Sequence, residues 1–204
     1  MNMLYYFSYV KFKIFNPKRI KNTRFGKKTF IGNGSHVVNS ELGDFSYIAY
    51  NTKCYNTRIG NYCSIGSDCV IGGAEHPLTS ISSSPVFYDK KNPCKVYFGN
   101  WKWDSFSKET IIGNDVWIGD HSLIKAGLSI GNGSVVGMGS VVTKNIPPYE
   151  VWAGNPAKFI KRRFNEEIVA DLMNSNWWVK EPDDNLIKYI NDSKGYISCI
   201  SKKD

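Results

Sequence analysis

The chain has 204 residues, a formal net charge of +8 and five cysteines. The length suits one domain with end caps. An odd number of cysteines without a C-x-x-C pair excludes a disulfide framework and a zinc signature, and it favours the reducing cytoplasm. The positive charge favours anionic partners such as phosphates, but it does not choose among a nucleotide cofactor, a nucleic acid and an acidic membrane surface.

Residues 1–28 form an N-terminal segment that precedes the repeats. The first fifteen residues are rich in aromatic and aliphatic side chains, but Lys11 and Lys13 interrupt a run that is too short to span a bilayer. The features of a secretory signal are missing as well. We expect a cap packed on the first repeat. A weak contact with a membrane surface is the alternative, favoured by the mixture of lysines and aromatic residues.

Residues 29–157 have a six-residue period. A branched aliphatic residue returns at every sixth position from Ile112 to Val142, and the pattern also runs from Ile31 to Ile71 with two five-residue steps. A helix would repeat its apolar face every three to four residues and a strand every two, so neither explains this period. Hexapeptide periodicity is typical of a parallel β-helix. The first and fifth positions of each step are predicted to fill the core, with Cys63 and Cys69 among the fillers.

The period disappears between residues 73 and 108, which predicts an inserted loop. A long stretch without repeats inside a compact solenoid is a candidate for function. His76 lies at the start of this loop, just after Gly72 and Gly73. The residues alone leave open whether His76 is an ordinary loop histidine or a catalytic one. His36 and His121 fall in regular steps, at positions expected to be solvent-exposed corners.

Residues 158–204 are predicted to form a helical tail. A helix is expected from Phe164 to Trp178, capped by Asn165, and a second one covers Leu186 to Ile190. No nucleic-acid-binding motif accompanies the basic side chains of this region, so a phosphate-bearing small molecule fits them better than DNA. These side chains are Lys158, Lys161, Arg162 and Arg163.

Four motifs occur together: the hexapeptide steps, the loop opening GGAEHP, the re-entry TIIGNDVWIG, and AGNPAKFIKRRF followed by a Trp-Trp pair. In this combination the chain resembles the hexapeptide acyltransferases, specifically the xenobiotic acetyltransferase branch with its chloramphenicol, streptogramin and sugar O-acetyltransferases. The resemblance covers roughly residues 29 to 190. It implies an all-β, left-handed parallel β-helix with a long loop insertion and a C-terminal helical cap. It also implies a homotrimer with active sites between subunits, acetyl-CoA as the acyl donor, and no metal.

The resemblance also implies roles for individual residues. His76 aligns with the catalytic histidine of the family and is expected to act as a general base, a role that suits an imidazole near neutral pH. Met138 is larger than the small residue common at its position. The expected contacts to the acyl donor are Asp120, Met138, Thr143, Lys144, Lys158 and Lys161.

The inserted loop is the part of the sequence that indicates which class of acceptor is bound. Its aromatic side chains, among them Tyr88, Trp101 and Trp103, suit the apolar faces of a sugar ring, and they also suit a flat antibiotic. The run after His76 and Pro77 resembles relatives that O-acetylate saccharides. We therefore expect O-acetyl transfer to a hydroxyl of a sugar or polysaccharide of the O-antigen or capsule type. The alternatives are an antibiotic O-acetyltransferase, an N-acetyltransferase of an amino sugar, and a non-catalytic hexapeptide scaffold.

Overall fold

The computed structural model describes residues 16–200. Within this range the chain winds through three sheets of mostly parallel strands, and each coil contributes one strand to each sheet in turn. The predicted hexapeptide solenoid is confirmed. Residues 1–15, which include most of the predicted N-terminal cap and its aromatic run, lie outside the described residues.

The strands divide among the sheets as follows. Sheet A contains β1 (Arg19–Lys21), β4 (His36–Val38), β7 (Lys53–Tyr55), β10 (Val70–Gly72), β13 (Leu123–Ile124) and β16 (Val141–Val142). Sheet B contains β2 (Arg24–Phe25), β5 (Glu41–Leu42), β8 (Thr57–Ile59), β11 (Thr110–Ile112) and β14 (Ser129–Ile130). Sheet C contains β3 (Phe30–Ile31), β6 (Tyr47–Ile48), β9 (Ser64–Ile65), β12 (Trp117–Ile118), β15 (Val135–Val136), β17 (Glu150–Gly154) and β18 (Ala157–Arg162). All of these pairings are parallel except that of β17 with β18.

The ladder begins before the first predicted repeat. Strand β1 pairs with β4 and β2 pairs with β5, so residues 19–25 already belong to a coil. Their inward positions, Ile20 and Phe25, are five residues apart, and only the second is followed by the glycine of later steps, Gly26, so the period is not evident there.

The core consists of the two predicted positions of each step. The first-position residues from Ile112 to Val142 are at most 2% exposed, and each lies directly against its equivalent in the next coil. Small polar residues fill many of the fifth positions. The Ser46 hydroxyl, for example, donates to the Gly60 carbonyl (2.7 Å) and accepts from the Cys63 N–H (2.8 Å), so its burial leaves no polar group unpaired.

The second and third positions of the step stack coil on coil. A Cβ at Gly113 would lie 2.6 Å from the Asn132 side chain of the next coil, so a larger residue does not fit. The Asn132 Oδ1 accepts from the Asn114 N–H at 2.7 Å, and the Asn114 Oδ1 accepts from the Asn61 N–H at 2.8 Å. This ladder of side-chain amides explains the recurring Gly-Asn and Gly-Asp pairs.

The three edges of the triangular solenoid differ. We call them the AB, BC and CA corners, after the sheets that each one joins. The inserted loop leaves from the AB corner, between β10 and β11. The C-terminal segments cover the BC corner, where the Asn61 side chain donates to the Trp178 carbonyl and the Tyr62 hydroxyl donates to the Lys180 carbonyl. Among residues 16–200, the CA corner carries neither the loop nor the C-terminal segments.

The C-terminal tail contains three α-helices within the described residues: α1 (Glu166–Ser175), α2 (Asp184–Lys188) and α3 (Ser193–Ile200). The predicted cap is confirmed, because the Asn165 side chain accepts from the Ile168 N–H at 2.9 Å. Helix α1 ends earlier than predicted, at a left-handed Asn176, and the Trp-Trp pair follows in a 3-10 turn. No described helix is long and apolar enough to cross a bilayer.

Candidate active site

Two glycines take the chain out of the coil and into the loop. Gly72 has φ +72° and Gly73 has φ +133°, values that L side chains rarely adopt. A Cβ at Gly72 would also clash with the Tyr55 carbonyl oxygen of the preceding coil. This pair therefore fixes where His76 leaves the solenoid.

The two ends of the loop are fastened to each other and to the coils. The Glu75 N–H donates to the Ser105 carbonyl (2.8 Å), and the Trp103 indole N–H donates to the Glu75 carbonyl (3.1 Å). The Glu75 carboxylate pairs with Lys108 at 2.7 Å and lies 3.9 Å from Lys125. Glu75 thus anchors the loop directly beside His76. Its position in the sequence alone does not indicate this role.

His76 is exposed, and two oxygen atoms hold one of its ring nitrogens. The Nδ1 atom lies 2.9 Å from the Ser83 carbonyl oxygen and 2.7 Å from the Tyr88 hydroxyl. A carbonyl oxygen only accepts, so the hydrogen-bond network assigns the proton to Nδ1. The Tyr88 hydroxyl can accept a share of this N–H while it donates to the Ser83 carbonyl (3.4 Å). This arrangement leaves Nε2 with a lone pair that can accept a proton.

Tyr88 is less exposed than expected for a substrate contact. Its side chain is only 3% exposed, with the hydroxyl turned toward His76 and the ring packed 5.6 Å from the Trp101 ring. Trp101 and Trp103 are 36% and 37% exposed and keep surface available at the loop. The contact between His76 and Tyr88 was not predicted, because a separation of twelve residues within a loop follows no structural period.

The rest of the loop is internally bonded. The buried Asn92 side chain donates to the carbonyls of Asp89 (2.7 Å) and Val96 (2.6 Å), and it accepts from the Cys94 N–H (3.0 Å). The Phe98 N–H donates to the Val86 carbonyl at 2.8 Å. These bonds fold the loop back on itself around Tyr88. The side chain that contacts His76 is therefore held in place by the loop.

Two predicted donor contacts stack at the CA corner. Asp120 and Met138 occupy it in successive coils, and the Gly139 N–H donates to the Asp120 carbonyl (2.8 Å). The Asp120 Oδ1 accepts from the Ser67 N–H at 2.7 Å, so part of this carboxylate supports the corner itself. Met138 is 75% exposed and presents a flexible apolar side chain outward.

The remaining predicted donor contacts lie elsewhere. Thr143 and Lys144 follow β16 at the AB corner and are exposed, in the coil next to Lys125. Lys158 and Lys161 are exposed on β18, which pairs with β17 at the C-terminal edge of sheet C. One protomer therefore presents the predicted contacts on two corners and one sheet edge, not in a single pocket.

The other histidines stay outside the loop. His121 is exposed at a turn of the CA corner, as expected. The expectation of a corner position is wrong for His36, which is half-buried in strand β4 because it is the sixth residue of its step, a position that also lies in a strand at Trp117 and Leu123. Cys94 is exposed in the loop, whereas burial raises the pKa of the Cys63 thiol to about 12. A buried thiol of such high pKa is unreactive.

Comparison with known proteins agrees with this fold. Residues 109–144 match the family model "Bacterial transferase hexapeptide (six repeats)". A chloramphenicol acetyltransferase of Klebsiella aerogenes is 42% identical over 125 residues, 59% of this chain and 58% of the relative. The match thus spans less than two thirds of that relative's length.

Two further relatives differ in the acceptor that their names specify. The galactoside O-acetyltransferase of Escherichia coli strain K12 is 34% identical over 128 residues, 62% of this chain and 56% of the relative. A probable macrolide acetyltransferase of Lysinibacillus sphaericus is 37% identical over 127 residues, 59% of this chain and 67% of the relative. With a hexapeptide solenoid, an inserted histidine loop and these relatives, the chain belongs to the hexapeptide-repeat acetyltransferases.

Proposed function

We propose that this protein is an acetyltransferase that moves the acetyl group of acetyl-CoA to a hydroxyl of a sugar or polysaccharide, with His76 as general base. The observation that carries the proposal is the hydrogen bonding of Nδ1 to Ser83 and Tyr88. It selects the tautomer in which Nε2 accepts a proton. A surface histidine without a function has no need of a buried tyrosine and a carbonyl fixed against the same nitrogen.

The reaction needs no covalent enzyme intermediate. His76 Nε2 takes the proton of the acceptor hydroxyl as the oxygen attacks the thioester carbonyl carbon. The tetrahedral oxyanion that forms is stabilised by a backbone N–H of a coil. It collapses with cleavage of the C–S bond, and the imidazolium returns the proton to the departing thiolate. The products are the O-acetyl ester and free CoA.

The acyl donor is an elongated anion, and the exposed cations near the site suit it. Lys144 and Lys161 have the charge that its phosphates require. Asp120, Met138 and Thr143 would line the rest of its path, with Lys158 as an additional cation. These residues occupy two corners and one sheet edge of one protomer, so we propose that the donor contacts them across neighbouring copies. That the copies form a homotrimer, with the sites between subunits, is what the resemblance to the family implies.

The acceptor is best matched by a carbohydrate. Trp101 and Trp103 offer partly exposed aromatic faces at the loop that carries His76, and such faces stack on the C–H surface of sugar rings. The galactoside O-acetyltransferase among the relatives supports this choice.

The cysteines, all unpaired, fit the reducing cytoplasm as the compartment.

An antibiotic acceptor is the second candidate. The observation in its favour is the 42% identity to a chloramphenicol acetyltransferase, higher than the 34% to the galactoside enzyme. The same aromatic loop could hold a flat antibiotic ring. The acetyl transfer and the role of His76 would be unchanged.

The test is thiol release from acetyl-CoA by the purified protein with saccharides, nucleotide sugars, chloramphenicol and a streptogramin as acceptors. We expect release with a saccharide, and a loss on the order of 10² or more in kcat for His76→Ala. His36→Gln is the matched control and should keep full activity, because His36 lies in β4, two strands before β10, from which the loop leaves. Turnover of an antibiotic alone would reject the sugar acceptor, and full activity of His76→Ala would reject the mechanism.

The donor site is tested separately. Lys144→Ala and Lys161→Ala should each raise the KM for acetyl-CoA by up to about 5-fold, because an exposed ion pair contributes at most about 1 kcal/mol. Lys91→Ala removes an equal charge from the exposed part of the loop and should leave this KM unchanged. Equal KM values in all three variants would contradict the proposed donor contacts.

A further inference from the structure

The positive charge of the chain is concentrated at one end. The first 40 residues contain eight Lys and Arg and no Asp or Glu, which equals the entire formal net charge of +8. Beyond residue 40 the numbers of cationic and anionic residues are equal. The charge is therefore a property of one end and not of the whole surface.

Six of these cations lie on the first described coil: Lys18, Arg19, Lys21, Arg24, Lys27 and Lys28. This coil holds β1, β2 and β3, which are the terminal strands of the three sheets. Arg24 pairs with Glu41, and Lys27 lies 3.8 Å from Glu181. Arg19, Lys21 and Lys28 are exposed and form no ion pair with any residue in the range 16–200. Half of the cluster thus has no anionic partner among residues 16–200.

Exposed apolar side chains lie among these cations. Ile20 and Phe25 are in register with the core residues Val37 and Leu42, yet they are 42% and 45% exposed because they belong to the end coil. Phe30, on the third side of the same coil, is 51% exposed. The end of the solenoid therefore combines unpaired positive charge with apolar surface.

A purely protective role explains only part of this pattern. Lys and Arg on terminal strands prevent edge-to-edge pairing of sheets. That role requires a few charges of either sign, and it does not require the absence of carboxylates from 40 consecutive residues. It also leaves the exposed Phe25 and Phe30 without an explanation.

We propose that the N-terminal end of the solenoid, residues 18–30, docks on an anionic membrane surface. Clustered Lys and Arg are attracted to acidic lipid headgroups, and aromatic and aliphatic side chains between them can enter the boundary with the acyl chains. A soluble polyanion would bind the cations but would leave the apolar side chains exposed, whereas a membrane offers partners to both. The inference does not depend on the proposed acetyl transfer.

The experiment is cosedimentation of the full chain with vesicles of phosphatidylcholine alone and of phosphatidylcholine mixed with phosphatidylglycerol. We expect binding to the mixed vesicles only, weakened by added salt. Replacing Arg19, Lys21 and Lys28 together by Gln should weaken it on the order of 10²-fold, from about tenfold or less per cation. The matched control replaces Lys91, Lys102 and Lys194 by Gln. It removes the same charge from exposed positions elsewhere and should bind like the wild type.

A charge-conserving variant, with Arg19→Lys, Lys21→Arg and Lys28→Arg, should also bind like the wild type, which separates loss of charge from loss of folding. The proposal is rejected if the wild type ignores phosphatidylglycerol vesicles, or if the two Gln variants bind equally. Binding of a single-stranded oligonucleotide without binding of vesicles would reject the membrane and assign the surface to a soluble polyanion. Because only vesicle binding is measured, the result does not depend on whether the acetyltransferase assay succeeds.

Discussion

Replacement of Tyr88 by Phe tests the geometry around His76 most directly. The change removes one oxygen atom and keeps the ring, so the packing of this buried side chain against Trp101 is preserved. It deletes the contact of 2.7 Å to His76 Nδ1, while the contact of 2.9 Å from Nδ1 to the Ser83 carbonyl remains. The tautomer should therefore survive, with weaker support for the imidazolium that forms during catalysis.

The size of the effect follows from the loss of one of two partners. A hydrogen bond of this kind contributes about 0.5 to 1.5 kcal/mol, so kcat should fall roughly 2- to 13-fold. The KM for the acceptor should stay unchanged, because the deleted hydroxyl lies against His76 and the Ser83 carbonyl on a buried side chain.

The assay is initial-rate kinetics of Tyr88→Phe at saturating acetyl-CoA and with varied acceptor. Tyr97→Phe is the matched control: it deletes a hydroxyl of the same loop that donates to the Trp101 carbonyl at 3.0 Å, and it should leave kcat unchanged. A raised acceptor KM with an unchanged kcat in Tyr88→Phe would refute this reasoning. That result would return Tyr88 to the role of a substrate contact.

Three further predictions concern the scaffold. Ile118→Ala, at a position with no exposed surface, should cost about 2 to 5 kcal/mol in denaturant unfolding; a cost below 1 kcal/mol would mean that the coils do not share one core. Gly72→Ala should destabilise more than Gly139→Ala, since both have positive φ but only the first Cβ meets a backbone carbonyl; equal melting temperatures would contradict this. A thiol reagent at mild pH should label the exposed Cys94 and spare Cys63 until the protein unfolds, because burial raises the Cys63 pKa to about 12; early labelling of Cys63 would argue against the packed core.

The solenoid was predictable because its rule is local and repeated. Each step places one aliphatic residue inward and one glycine where the next coil passes, so Ile118 and Gly113 are constrained by neighbours at fixed spacing. The expectation fails at the sixth position of a step: His36 lies in a strand instead of at a corner, as Trp117 and Leu123 do in later coils. The first coil was not predicted, although Ile20 and Phe25 are in core register and Gly26 follows Phe25 as in later steps, because one shortened step before Phe25 is too little to establish a period.

The sequence by itself determined the repeat, the place where the repeat stops, and the histidine at the start of the insertion, since all three depend on spacing along the chain. Only the tertiary structure decided what surrounds that histidine. Nothing periodic relates His76 to Ser83 and Tyr88, and their contacts arise because Gly72, Glu75 and Asn92 fold the loop back on itself. A loop is shaped by contacts between residues at irregular separations, and those contacts are settled only when the whole chain packs.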